Sequence, residues 1–185
     1  MHLTGIGGCD AHENTFPNLM PDGERGDSYR RMMRWHTHHV LVSSTDRDGV
    51  MEALGAGRLY LAFEALGTPI GFDFHAARVD GTTAEMGGSA AIGDTIRVVR
   101  PSLPAGFPSD PAPTLHLRIL RAAAGGAVEV ASGDAATLDH VVTEAGAYRA
   151  EVRMVPDHAR PYLGRFADEL VHEVVWIYSN PIYVE

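Results

Sequence analysis

In the stretch Gly8-Cys9-Asp10-Ala11-His12 a carboxylate and an imidazole stand two residues apart behind a glycine-rich approach. Residues i and i+2 of an extended segment point to the same side, so Asp10 and His12 can reach one metal ion together. A hard oxygen beside a neutral nitrogen suits Zn, Mn or Fe in a hydrolytic site. The competing reading of the same spacing is a capping aspartate and a surface histidine. A second group, His36-Thr37-His38-His39, contains a His-x-His pair. It is either a metal site shared with Asp10 and His12 or a helix end where imidazoles face the carbonyl dipole; the helix end is the reading adopted. Arg25, Arg30, Arg31 and Arg34 either meet a substrate phosphate near Asp10 or form a solvated helix face paired with Glu24 and Asp27. Gly5-Ile6-Gly7-Gly8 lacks the strand–turn–helix context of a nucleotide loop. Cys9 has no His–Asn partner pattern and reads as a small packed thiol. Trp35 and Trp176 read as packing residues. His75, His116, His140, His158 and His172 read as surface or rim positions.

The elements that must carry these groups change character near Gly67. Residues 5–26 are dense in Gly, Pro, Asn and Asp, which is loop chemistry. Asp27 can cap a helix running to Trp35, because Tyr29, Met32, Met33 and His36 share one helical face. Val40-Leu41-Val42 reads as a short strand. A second helix starts at Ser44, Thr45 or Asp46 and ends near Gly55-Ala56-Gly57, where glycine can supply the left-handed cap. Leu59 to Phe63 is another strand. After Gly67 the period becomes two, as in Phe72-Asp73-Phe74-His75-Ala76 and Tyr148-Arg149-Ala150-Glu151-Val152-Arg153-Met154. Strands with one wet face follow from that pattern, and their spacing predicts an immunoglobulin-like antiparallel β-sandwich. Its inner faces are expected to include Phe72, Phe74, Leu115, Leu117, Ile119, Tyr148, Ala150, Val152 and Met154. Gly146-Ala147-Tyr148 resembles the tyrosine corner of such folds. Five prolines between Pro101 and Pro113 predict a long exposed connection.

Composition narrows the function classes. The chain has 185 residues, 45% hydrophobic and 21% charged, which is enough for a folded domain. Fifteen arginines against 24 acidic residues give a net charge of −9, which argues against a nucleic-acid binder. No apolar run reaches the ~18 residues of a membrane span. Residues 1–5 have neither the basic start nor the apolar core of a signal peptide. The single cysteine, Cys9, excludes an internal disulfide framework and fits a cytoplasmic setting.

The segment Gly7-Gly8-Cys9-Asp10-Ala11-His12 resembles the last metal-binding motif of PHP-domain proteins, the polymerase and histidinol phosphatase superfamily. Asp22-Gly23-Glu24-Arg25-Gly26-Asp27-Ser28-Tyr29-Arg30-Arg31-Met32, Ala56-Gly57-Arg58-Leu59-Tyr60 and the closing Trp176-Ile177-Tyr178-Ser179-Asn180-Pro181-Ile182-Tyr183-Val184 are similar to the CehA/McbA-like group of these hydrolases. The resemblance implies an α+β fragment: the terminal piece of a (β/α)7 barrel over residues 1–66, then the sandwich over 67–185. It implies a divalent metal (Zn, Mn or Fe) held by Asp10 and His12, and hydrolysis of a phosphoester, or of an amide or ester, by metal-activated water. The family's earlier ligands, beginning with a His-x-His motif, precede the Asp-x-His motif, and only nine residues precede Asp10 here. The expectation is therefore a split, truncated or mis-started member, weakly active or inactive alone. Its partner would be an amino-terminal barrel segment or a second copy, docking where strand edges around Val40-Leu41-Val42 and Leu59-Tyr60-Leu61 are left unpaired. The alternative is a non-catalytic β-sandwich accessory or interaction module.

Overall fold

A computed structural model describes residues 2–185. Two sheets, mostly antiparallel, face each other across one core, with few helices. In the larger sheet the order is β1 (Thr37–Val40), β2 (Leu59–Ala62), β11 (Val174–Ser179), β10 (Gly146–Val155), β7 (Thr114–Ala123) and β8 (Gly126–Gly133). Strand β12 (Ile182–Val184) continues β11 past Asn180-Pro181 on the same edge of β10, and pairs in parallel with β5 (Ser89–Ala90). The smaller sheet runs β4 (Thr83–Glu85), β3 (Asp73–Ala77), β6 (Thr95–Val99), β9 (Thr137–Val141), antiparallel throughout.

The period-two pattern is what closes this sandwich. Phe74, Ala76, Ile96 and Val98 from the smaller sheet meet Leu117, Ile119, Tyr148, Ala150, Val152 and Met154 from the larger one, all fully or almost fully buried. Each such large apolar side chain contributes about 1.5–3 kcal/mol relative to exposure. Phe72 is buried with them, whereas Leu115 is only partly covered. Trp176 is fully buried and donates its indole N–H to the Gly67 carbonyl at 2.8 Å. The tyrosine-corner expectation holds in geometry: the Tyr148 hydroxyl donates to the Glu144 carbonyl, four residues upstream, at 2.6 Å. The proline-rich connection holds no strand beyond an isolated bridge between Ser102 and Ile70, but it is not wholly exposed: Leu103 packs against the core and the Phe107 ring lies edge-on to His158.

The residues before Gly67 depart further from expectation. Helix α1 covers only Tyr29–Met32, and its cap is Ser28 rather than Asp27. The chain tightens after it through three-residue bonds from Arg34 N–H to Arg31 and from Trp35 N–H to Met32. The histidine group lies on a strand, not a helix end: His38 and His39 are in β1, opposite Leu61 and Tyr60 of β2. Of the two edges expected to be unpaired, that of Leu59-Tyr60-Leu61 is paired on both sides, because β2 sits between β1 and β11 and buries Leu59 and Tyr60, while β1 ends the sheet among the described residues. Strands joined through a helix in a (β/α) barrel run parallel; β1 and β2 flank a helix yet run antiparallel, so this pair extends the sandwich sheet and is not a piece of barrel wall. Tyr60 and Ala62 belong to the same core as Phe74 and Val152. The second helix, α2 (Arg47–Ala56), follows its signals. Asp46 accepts from Gly49 N–H at 2.8 Å, and Gly57 closes it in the left-handed region. A glycine contact also locks α2 to the sandwich: Gly87 has φ +80, and any side chain there would overlap the Ala56 carbonyl. Short helices α3 (Arg160–Leu163) and α4 (Ala167–Leu170) between β10 and β11 carry no signal that the sequence reading caught.

Candidate functional site

Asp10 and His12 lie in irregular chain rather than in an extended segment, because Asp10 takes φ +48 and Glu13 φ +53. Aspartate tolerates the left-handed region better than most residues, and here it turns the chain so that the two side chains still converge. His12 Nε2 lies 2.7 Å from Asp10 Oδ1, and the side chains are 58% and 89% exposed. Nothing packs over them, so both groups are open to a ligand. The donor chemistry fits a divalent metal in part: one carboxylate and one imidazole, against the three protein ligands usual for catalytic zinc. Among the described residues no three His, Cys, Asp or Glu side chains are grouped to hold an ion.

Regular backbone pairing does not hold this segment; side chains of the sandwich do. The Tyr183 hydroxyl accepts from Leu3 N–H at 2.7 Å and donates to the Leu3 carbonyl at 2.9 Å. The Asn180 amide accepts from Gly5 N–H at 2.6 Å and donates to the Gly5 carbonyl at 3.1 Å. His38 Nε2 accepts from Gly7 N–H at 2.9 Å, which fixes the proton of a neutral ring on Nδ1. Burial, followed by the neighbouring His36 and His39, pushes the His38 pKa below its ordinary value. The sequence reading missed Asn180 and Tyr183 as members of the site. A polar residue preceding a proline inside an apolar strand run was the available signal.

The other candidates resolve individually. The His36–His39 group does not join Asp10 and His12: His38 is committed to Gly7, and His39 Nε2 bonds Glu64 at 2.8 Å. Burial works to raise the Glu64 pKa, but hydrogen bonds from Thr68, His39 and Thr37 outweigh it and leave the carboxyl below its usual value. Of the arginines, Arg25 pairs with Asp27 at 3.0 Å, Arg30 with Glu24 and Arg31 with Asp22. Asp27 also accepts from Thr15 N–H at 2.6 Å and Phe16 N–H at 2.7 Å, closing the loop that follows His12. The Arg25 guanidinium and these amides hold its carboxyl far below the carboxylate range. Arg34 makes no ion pair among the described residues, so three of the four arginines serve the loop rather than a phosphate. His158 is buried, not a rim residue; its Nε2 donates to the Leu66 carbonyl at 3.1 Å, and burial lowers its pKa.

Beside the Asp-Ala-His motif the surface is apolar. A hollow of about 560 Å³ is lined by Cys9, Met32, Trp35, Leu61 and Phe63. Trp35 and Phe63 also border a hollow of about 700 Å³ between β11 and the short helices α3 and α4. Trp176 packs as expected, but Trp35 is 58% exposed and stands on this surface. Fold and site together define a β-sandwich that carries an open carboxylate–imidazole pair on an anchored arm. No family model, no curated protein and no solved structure matches the chain.

Proposed function

We propose that the chain is the carboxyl-terminal portion of a PHP-type metal-dependent hydrolase, a phosphoesterase or an amide or ester hydrolase acting on a small molecule. Asp10 and His12 are two ligands of its divalent-metal site, and the remaining ligands come from an amino-terminal barrel segment outside these residues. The barrel's share of the present chain is then the extended arm before Asp10, since β1 and β2 belong to the sandwich. The observation that carries this reading is the convergence of the two side chains at 2.7 Å, exposed and uncommitted to the core. When bound, a divalent metal supplies Lewis-acid activation of water and of the scissile group. Asp10 contributes the charged oxygen ligand and His12 the neutral nitrogen, while the arm fixes their place. A cytoplasmic setting goes with the reading through the lone cysteine. Among the described residues no helix is long and apolar enough to cross a membrane.

A non-catalytic sandwich module is the second reading, favoured by the absence of a third ligand among the described residues. An assay of the purified chain on a chromogenic phosphodiester and monoester with Mn or Zn separates the two. The chain alone is expected to turn over little substrate. Mixed with a barrel segment supplying the His-x-His ligands, it should gain activity that Asp10→Ala removes. Activity of the mixture that survives both Asp10→Ala and His12→Ala would overturn the ligand assignment; no gain on mixing would favour the module.

A further inference from the structure

We infer that Tyr183, Asn180 and His38 are positioning residues for the Asp10-Ala11-His12 pair: their side chains replace a β-ladder along the arm and thereby fix where the carboxylate and imidazole stand. The inference rests on the reading of Asp10 and His12 as metal ligands. Residues 3, 5 and 7 are the ones bonded, each through its backbone, and the intervening residues are not. In extended chain alternate residues present their N–H and C=O to the same edge, so the three anchors follow the period of a paired strand. Tyr183 and Asn180 each satisfy both backbone groups of their partner, as a neighbouring strand would.

Asn180 joins the arm to the sheet. Its backbone N–H at 3.2 Å and its side-chain N–H at 3.1 Å both donate to the Leu59 carbonyl of β2, while the residue, 5% exposed, spends its side-chain oxygen on Gly5. The arm brings little of its own to hold it in place. Gly5, Gly7 and Gly8 have no side chains to pack, and the first two pass close to the sandwich: a Cβ at Gly5 would sit 3.2 Å from Asn180 Oδ1, and one at Gly7 would press on the tip of the Leu61 side chain. With Gly7 fixed, the three residue steps to Asp10 span at most about 11 Å. Released from its anchors, the pair would sweep a far larger volume, and the chance of finding it opposite the remaining ligands would fall accordingly.

The test uses the full chain with Mn²⁺ as probe. Paramagnetic broadening of the His12 ring protons reports the ligand pair, hydrogen exchange at the Leu3, Gly5 and Gly7 amides reports the arm, and the thermal midpoint reports the sandwich. Tyr183→Phe keeps the ring stacked on His2 (centroids 3.8 Å apart) and removes only the hydroxyl. It is expected to speed Leu3 exchange by at least about fivefold, the equivalent of the one bond to the Leu3 N–H, and by more as the bond to the Leu3 carbonyl is lost with it, to raise the Mn²⁺ concentration needed for half-broadening several-fold, and to leave the thermal midpoint unchanged. Asn180→Ala should do the same to Gly5 exchange and the Mn²⁺ response, but should also lower the thermal midpoint because it removes the side-chain bond to the Leu59 carbonyl; Tyr183→Phe decides the matter if the asparagine variant fails to fold. If the amides exchange faster while the Mn²⁺ response of His12 stays at its wild-type value, the anchors position nothing and the inference fails, though the ligand reading stands. Unchanged amide exchange in Tyr183→Phe would overturn it as well. If Asp10→Ala leaves the broadening of His12 intact, the ligand reading falls, and the inference with it.

Discussion

Two parts of this molecule are held by different physics. Phe74, Val98, Val152 and Trp176 keep their places because they are shut away from water between two sheets. The arm that ends in Asp10 and His12 keeps its place through five hydrogen bonds from three sandwich side chains, with almost nothing buried beneath it. Burial of one large apolar side chain is worth about 1.5–3 kcal/mol, one net hydrogen bond about 1. The sandwich should therefore tolerate loss of the arm's anchors, while the arm cannot survive loss of the sandwich. A functional pair mounted in this way can be adjusted without endangering the fold.

The largest expected effect comes from breaking the stronger side. Trp176→Ala removes a fully buried indole and strands the Gly67 carbonyl, and should cost about 3–5 kcal/mol in urea unfolding. Such a loss should also release the arm, because Asn180 follows directly on the strand that Trp176 anchors. A smaller loss, with the Gly5 amide still protected, would show that the arm is not subordinate to the core.

Next comes the joint between α2 and the sandwich. Gly87→Ala forces a side chain at φ +80 into the Ala56 carbonyl, and should cost about 2–3 kcal/mol by the same measurement. Tyr148→Phe is milder. It keeps the buried ring and loses only the bond to the Glu144 carbonyl, so a loss of about 1 kcal/mol is expected. A neutral result there would mean that the ring alone holds the corner.

The same contrast explains what the sequence disclosed. Burial writes a period into the chain, so β3, β6, β7 and β10 were legible from their alternation, and α2 from Asp46 and Gly57. The arm has no period, because backbone groups bonded to distant side chains leave no mark on their own residue types. Asp10 and His12 were legible as a pair from chemistry and spacing, and their convergence is observed. The extended segment assumed for them was not, since the positive φ at Asp10 follows from the turn it makes. His36 to His39 misled because the helical face through Tyr29, Met32 and Met33 pointed onward. Pairing of His38 and His39 with β2, twenty residues later, overrode it. Asn180 and Tyr183 were visible only as part of a closing motif, with their partners some 175–180 residues away.

The smallest effect should be the most selective. His38 holds Gly7 through an unprotonated Nε2, and its pKa in the fold lies below the ordinary 6.5. A histidine with a depressed folded pKa binds its proton more readily in the unfolded chain. Its contribution is therefore complete above about pH 6.5 and is lost as pH falls through the lower folded value. Protonation turns Nε2 into a donor facing the Gly7 N–H, and that anchor must break, while Gly5 is held by the Asn180 amide, which does not titrate in this range. Amide spectra recorded from pH 8 to pH 5 should show Gly7 shifting and losing exchange protection together with titration of the His38 ring, while the Gly5 amide and the core amides of β10 stay fixed. His38→Gln should abolish the pH response at Gly7. If Gly7 and the β10 core respond at the same pH, the arm and the sandwich are one cooperative unit, and the division drawn between them is wrong.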